Sequence, residues 1–150
     1  MKTLFLFAIV QLLTQTMMAQ EKKIIFVCEH GAAKSVIAAS YFNKMAKERN
    51  LDYVAECRGT FPDSVVSPGI KDNLTKEKVF DPNTRPRKLL ISDTAHVERI
   101  ILFTTLTPDL KTDIQTEDWS NIQNVDADYE KRRNAIVKKI NELLDSLEKQ

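Results

Sequence analysis

Three side chains early in the chain have the types and spacing needed for nucleophilic chemistry on an anion. Residues 28–35 read CEHGAAKS, so five residues separate Cys28 from Lys34, and Ser35 follows. A thiolate is a strong nucleophile, and a cation beside a helix N-terminus both favours the thiolate and attracts anions. Gly31 can take a positive φ at no steric cost, which lets a loop turn its amides inward. The pattern predicts a nucleophile and an oxyanion cradle in one loop; the alternative is a buried structural cysteine before an ordinary turn.

The segments around this loop predict a parallel α/β sheet. Residues 23–27 form a continuous apolar run typical of a strand buried on both faces, and Ser35 is placed to cap a helix that runs to residue 50. Further strands are predicted at 53–57, 99–105 and 113–116, and further helices at 67–79, 92–97 and 127–147. Strands that alternate with helices form parallel sheets, whose ligands bind beyond the carboxyl ends of the strands. Cys28, directly after the first strand, is predicted to lie at that edge.

The composition is that of one folded domain behind an export signal. The chain has 150 residues, 43% of them hydrophobic and 29% charged, with a formal net charge of +1, which gives no bulk attraction to nucleic acid or an anionic membrane. Residues 1–19 combine Lys2, an apolar stretch and a polar end at Ala19, which is the layout of a signal peptide; the alternative is a buried or interfacial N-terminal helix. We therefore predict a periplasmic or secreted domain over residues 20–150, with no membrane contact after cleavage.

The chain has one other cysteine, Cys57, at the end of the second predicted strand. A cysteine at this position is typical of a small buried strand residue. Neither cysteine has a second cysteine or a histidine at metal-ligand spacing, so no metal and no other cofactor is expected.

Four segments carry a resemblance to a known family: IIFVCEHGAAKSVIAASYFNKMA, AECRGTFPDSVVSPGI, RIILFTT and DWSNIQNVDADYEKRRNAIVKKI. Their order and spacing resemble the low-molecular-weight protein tyrosine phosphatases and the related thioredoxin-type arsenate reductases, whose active loop is C-x5-R-S/T. The resemblance covers almost the whole chain after the signal segment. It implies a single flavodoxin-like domain with a four-stranded parallel sheet and helices on both faces. It also implies attack of the loop cysteine on a phosphomonoester, hydrolysis of the resulting phosphocysteine by water, and no metal.

The resemblance assigns roles within the loop. Cys28 would be the nucleophile, and Ser35 would tune its thiolate. The residues that would wrap the phosphate are Glu29, His30, Gly31, Ala32, Ala33 and Lys34. Gly31 stands where the family often has an asparagine with a positive φ.

Two features depart from the family pattern. Lys34 stands where the family has arginine, which grips two phosphate oxygens, whereas lysine offers a point charge. The family's late Asp-Pro pair, whose aspartate protonates the leaving oxygen, is missing from WSNIQNV. Asp118, Asp126 or Asp128 could replace it, or could cap helices and face solvent. Arg58 could face the site and offset the lysine, or could be a solvated or capping residue.

Three functions therefore stay open, in this order. The first is hydrolysis of phosphotyrosine-like or other aryl phosphates. The second is arsenate reduction with an external thiol as partner; such enzymes typically carry a cysteine pair after the second strand, and this chain has only Cys57. The family's sheet order would place the second strand beside the first, so the resemblance implies that Cys57 is either a redox partner for Cys28 or a small buried strand residue. The third is binding of phosphate or a similar oxyanion without catalysis.

Overall fold

Four parallel strands form one sheet, and the loop of residues 28–35 lies at its carboxyl edge. The computed structural model describes residues 21–110, 112–122 and 128–150. The strands are β1 (Lys22–Cys28), β2 (Tyr53–Gly59), β3 (Val97–Leu102) and β4 (Thr116–Asp118), in the spatial order β2-β1-β3-β4. This arrangement confirms the predicted fold class. The signal-peptide prediction for residues 1–19 lies outside the described residues and stays a prediction.

In the described part of the chain three α-helices alternate with the strands, one after β1, one after β2 and one after β4. They are α1 (Lys34–Glu48), α2 (Pro68–Lys76) and α3 (Tyr129–Leu147), with short 3-10 helices at Ile91–Thr94 and Pro108–Leu110. Helix α2 ends before the predicted residue 79 because Lys78 has a φ of +58°, which no right-handed helix contains. The predicted start of α3 at residue 127 lies outside the described residues. No helix in the described part of the chain is long and apolar enough to span a membrane.

The two later strands differ from their predicted positions. The third strand was predicted at 99–105, and β3 starts two residues earlier, at Val97, and ends three residues earlier, at Leu102. The fourth was predicted at 113–116, and β4 starts only at Thr116. The reason is pairing: Ile100 and Leu102 of β3 lie opposite Thr116 and Asp118. The register of a short edge strand is set by its neighbour, which a pattern within the segment does not reveal.

The sheet buries apolar residues on both faces. Alternation along β1 turns Phe26 towards α1 and α3, and Ile25 towards the opposite face. Phe26 anchors an aromatic cluster with Phe42, Phe103 and Trp119. On the opposite face Leu89 and Leu110 supply the cover, so short segments and the 3-10 helix Pro108–Leu110 replace a long α-helix there.

Helices α1 and α3 run side by side in the same direction. Arg49, directly after α1, donates hydrogen bonds to Asn141, Asp145 and Glu148 in the C-terminal half of α3. The N-terminal ends of both helices therefore lie at the same end of the domain, next to the Cys28 loop.

Candidate active site

Cys28 and Ser35 meet at the start of the loop. Cys28 is the last residue of β1 rather than the first residue after it, and it is 4% exposed. Its Sγ lies 3.1 Å from the Oγ of Ser35, which is fully buried. Ser35 is not the predicted helix cap: α1 begins at Lys34, and Ala33 holds the cap position without a side-chain hydrogen bond. The Ser35 hydroxyl is engaged by the thiol instead, and it can donate to a Cys28 thiolate and stabilise it.

Two glycines bring the loop against the end of β2. Gly31 has a φ of +59°, which agrees with the sequence-based expectation of a left-handed turn. A Cβ on Gly31 would lie 2.9 Å from the amide nitrogen of Gly59, and a Cβ on Gly59 would lie 2.8 Å from the amide nitrogen of Gly31. Neither position accepts a side chain unless the backbone moves. The asparagine that the family often carries in place of Gly31 would not fit against Gly59 here.

The carbonyl groups and the amides of the loop differ in their hydrogen bonding. The carbonyls of Cys28, Glu29, His30 and Ala32 accept hydrogen bonds from the amides of Thr60, Phe61, Asp63 and Ser67, in that order. Within the described residues, no backbone acceptor takes a hydrogen bond from the amides of residues 29–33. The first amides of α1 also lack partners, as in any helix. This run of donors at a helix N-terminus is suited to bind an oxyanion beside Cys28.

Lys34 is the cation of the loop, and its surroundings are largely apolar. Its Nζ lies 3.4 Å from the carbonyl oxygen of Ile122 and 5.8 Å from the centroid of the Phe103 ring. Burial lowers the pKa of Lys34, and the nearby charge of Arg132 lowers it further, while Cys28 and Glu29 act in the opposite direction. Among the residues that the structure describes, no carboxylate forms an ion pair with this lysine.

The side chains of Glu29 and His30 point away from the loop interior. Both are more than half exposed, and the Nδ1 of His30 lies 3.3 Å from the Oδ1 of Asp63. Ala32 is buried and Ala33 is half-buried. The structure therefore brings together the side chains of Cys28, Lys34 and Ser35, with only the backbone of residues 29–33.

Arg58 does not offset the lysine. Its side chain is 5% exposed and donates to the carboxylates of Glu56 and Asp93 and to the carbonyl of Cys57. Alternation along β2 turns Arg58 away from the face that carries Cys57. The expectation that Arg58 faces the loop as a free cation is wrong, because its guanidinium forms buried ion pairs with Glu56 and Asp93.

Cys57 lies near Cys28 but out of register with it. In the parallel pairing of β1 and β2, Cys57 is opposite Phe26, and Gly59 is opposite Cys28. A two-residue offset between neighbouring strands separates the two cysteine Cα atoms by about 8 Å, beyond the ~7 Å that a disulfide spans. Both thiols are free, and burial raises the pKa of Cys57. A redox role for Cys57 stays a prediction, and a disulfide to Cys28 would require backbone movement.

The described acids near the end of the chain have other partners. Asp118 accepts a hydrogen bond from the amide of Ser120, and Asp128 caps α3 by accepting one from Lys131. These hydrogen bonds lower the pKa of both aspartates, which keeps them ionised rather than ready to donate a proton. Asp126 lies outside the described residues. Among residues 21–110, 112–122 and 128–150, no three metal-ligating side chains come close enough together to hold an ion.

Three residues at this site were not predicted from the sequence. Gly59 sets the position of the loop, Phe103 lies under the Lys34 ammonium, and Arg132 lies close enough to influence the pKa of Lys34. Gly59 could have been found as a glycine two residues after a predicted strand, since glycine at a strand end often marks close backbone approach. Arg132 could have been found as a charge on the apolar stripe of the last helix, four residues before Ile136.

Comparison with known proteins agrees with this geometry at the level of fold. No protein-family model and no curated protein matches the chain in sequence. Among solved structures, a thioredoxin-dependent arsenate reductase from Corynebacterium glutamicum superposes with a TM-score of 0.68 at 18% identity, over 87% of this chain and 64% of that one. A low-molecular-weight protein tyrosine phosphatase from T. tengcongensis gives a TM-score of 0.71 at 16% identity, over 83% and 99%. An arsenate reductase from Archaeoglobus fulgidus gives 0.64 at 23% identity, over 81% and 98%.

The class of protein is thereby defined by its fold. The chain has the α/β fold that low-molecular-weight tyrosine phosphatases share with thioredoxin-dependent arsenate reductases, as the resemblance in sequence predicted.

Proposed function

We propose that this protein hydrolyses aryl phosphomonoesters through a phosphocysteine at Cys28. One observation carries the proposal. The Cys28 thiol lies 3.1 Å from the buried hydroxyl of Ser35, at the base of a loop whose amides have no backbone acceptors among the described residues. A nucleophile beside a ready oxyanion site is the arrangement that covalent phosphoryl transfer needs.

The reaction would run in two displacements at phosphorus. In the first, a lone pair of the Cys28 thiolate forms the S–P bond, and the P–O bond to the aryl group breaks with its electron pair on the leaving oxygen. In the second, water attacks phosphorus, the S–P bond breaks, and its electron pair returns to sulfur as the thiolate. The loop amides and Lys34 would hold the equatorial oxygens in both steps.

The aspartates that the structure describes near the end of the chain favour one substrate class. Neither Asp118 nor Asp128 has a pKa raised toward that of a proton donor, since hydrogen bonds lower the pKa of each. A phenolate leaves without full protonation far more readily than an alkoxide does. Aryl phosphates, including phosphotyrosine-like esters, are therefore the proposed substrates.

A second candidate is an oxyanion-binding protein without catalysis. Lys34 favours it, because a lysine with a lowered pKa grips the transferring group less firmly than an arginine would. Arsenate reduction with an external thiol is a third candidate, because arsenate reductases have the same fold.

One set of assays separates these functions. Purified protein under reducing conditions is given p-nitrophenyl phosphate, with Cys28→Ser as the test variant and Cys57→Ser as the matched thiol control. We expect turnover in wild type and Cys57→Ser, and none in Cys28→Ser. Arsenate-dependent oxidation of an added thiol would replace the proposal with arsenate reduction. Phosphate binding with neither activity would replace it with the binding protein.

A further inference from the structure

Arg132 lies at the level of the Cys28 loop, on the buried side of α3. Arg49, directly after α1, bonds to Asp145 and lies 15 positions after Lys34 in the chain. Counting the same number back from Asp145 along the parallel helix α3 reaches residue 130 (145 − 15 = 130). Equal rise per residue therefore places the first turn of α3, including Arg132, beside the first turn of α1. Ile136 and Ile140, one and two turns further along the same side of α3, are fully buried.

The Arg132 guanidinium has no partner among the described residues. Its Nε is buried and unpaired, whereas the neighbouring Arg133 is bound to the Glu77 carboxylate. Arg49 and Arg58 are also paired with carboxylates. A buried, unsatisfied guanidinium nitrogen is costly unless an anion joins it.

The charge of Arg132 reaches Lys34. The charge of Arg132 is among the causes that lower the pKa of Lys34, so the two cations lie within electrostatic reach. Within the described residues neither of them forms an ion pair. Two cations that have no ion pair among the described residues, beside loop amides that have no backbone acceptor there, form a site whose charge suits a tetrahedral dianion.

We propose that Arg132 is a second cation of the oxyanion site and supplies from α3 the guanidinium that the loop itself lacks. The inference rests on the proposed function, because it assigns a ligand contact in the same site. It names inorganic phosphate and phosphate monoesters as the ligand class.

The test compares phosphate binding by wild type, Arg132→Gln, Arg132→Lys and Lys138→Gln. Lys138→Gln removes the same charge from an exposed position of α3 and serves as the control. Binding of inorganic phosphate is measured by calorimetry and by protection of Cys28 from iodoacetamide, and thermal unfolding is recorded with and without phosphate. We expect Arg132→Gln to weaken phosphate binding roughly tenfold to a hundredfold, the worth of a charge-assisted hydrogen bond. Lys138→Gln should stay within about twofold of wild type, since an exposed charge adds little.

Stability separates ligand binding from a structural role. If Arg132 serves the ligand, Arg132→Gln melts no lower than wild type without phosphate, and it shows a smaller upward shift than wild type at the same phosphate concentration. A lower melting temperature with unchanged phosphate affinity would overturn the inference. If Arg132→Gln does not fold, Arg132→Lys decides: it retains the charge but not the fork, so affinity equal to wild type would refute a guanidinium contact.

The outcomes also distinguish this inference from the proposed function. Turnover by wild type together with full phosphate affinity in Arg132→Gln would refute the role of Arg132 and leave hydrolysis standing. Wild type that neither binds phosphate nor hydrolyses the ester would refute both.

Discussion

A single methyl group on Gly59 should disturb the site without touching any reacting group. A Cβ there would lie 2.8 Å from the amide nitrogen of Gly31 and 3.0 Å from the carbonyl oxygen of Glu29, whereas ordinary contacts begin at 3.4 Å. The loop must therefore shift by about half an ångström or more away from β2. Overpacking of this kind costs about 1–3 kcal/mol of stability, and a displacement of about 1 Å at a reacting centre can cost about a hundredfold in rate.

We therefore expect Gly59→Ala to fold with reduced stability and to lose at least about tenfold in kcat/KM for p-nitrophenyl phosphate. Protection of Cys28 by phosphate should weaken in parallel, because the amides of residues 29–33 move with the loop. Gly69→Ala is the matched control: nothing lies within 4 Å of a Cβ at that helical position, so the same methyl should leave activity unchanged. A Gly59→Ala protein with wild-type turnover and phosphate protection would refute the idea that this contact positions the loop.

Two further predictions concern charged groups. Lys34→Arg should raise kcat/KM for aryl phosphates by about tenfold, because a planar guanidinium contacts two phosphate oxygens. The gain should be larger when Arg132 is replaced by glutamine. A Lys34→Arg protein that folds, binds phosphate and is no faster than wild type would contradict this. Glu77→Gln should lower the free energy of unfolding by about 1–2 kcal/mol at pH 7, because Glu77 accepts hydrogen bonds from Tyr41, Tyr129 and Arg133. Partial burial alone would raise the pKa of Glu77, but these hydrogen bonds lower it overall. The stabilisation by the Glu77 carboxylate is therefore fully present above about pH 4.3, the pKa of glutamate in the unfolded chain. It is lost as the pH falls through the lower pKa of Glu77 in the folded protein. Urea unfolding of both proteins at pH 7 and pH 3 should show the difference narrowing in acid, and a constant difference would contradict the assignment.

Local pattern was sufficient for the parts of this fold that depend on one segment. The apolar run of β1, the helix after the loop and the glycine that turns left-handed were all predictable, because strand burial, helical periodicity and positive φ each leave a mark in adjacent residues. The position of Cys28 at the carboxyl edge followed from the order of strands and helices.

Features that depend on pairing between distant segments were not predictable. Ser35 has the type of a helix cap, yet its hydroxyl is engaged by a thiol seven residues away. Arg58 lies near the carboxyl end of β2, which is next to the site, yet its guanidinium is bound by the carboxylates of Glu56 and Asp93 and does not face the loop. Cys57 lies beside β1, but its two-residue offset from Cys28 is a matter of register. Strand register and side-chain partners are set when the strands pair in the sheet, so the sequence of one segment does not reveal them.

The proposed second cation at Arg132 would give a physical reason for a lysine in this loop. Lys34 and Arg132 form no ion pair with a carboxylate among the described residues, so two positive charges near one another would repel, and a bound dianion would remove that repulsion. Burial and the charge of Arg132 disfavour the charged form of the half-buried Lys34, as its lowered pKa indicates, whereas arginine remains charged under all ordinary conditions. With Arg132 already present, an arginine in place of Lys34 would fix two permanent charges in the empty site. The Lys34→Arg variant should therefore bind phosphate more tightly and yet melt lower without it, and this pair of opposite changes would not arise if Lys34 acted alone.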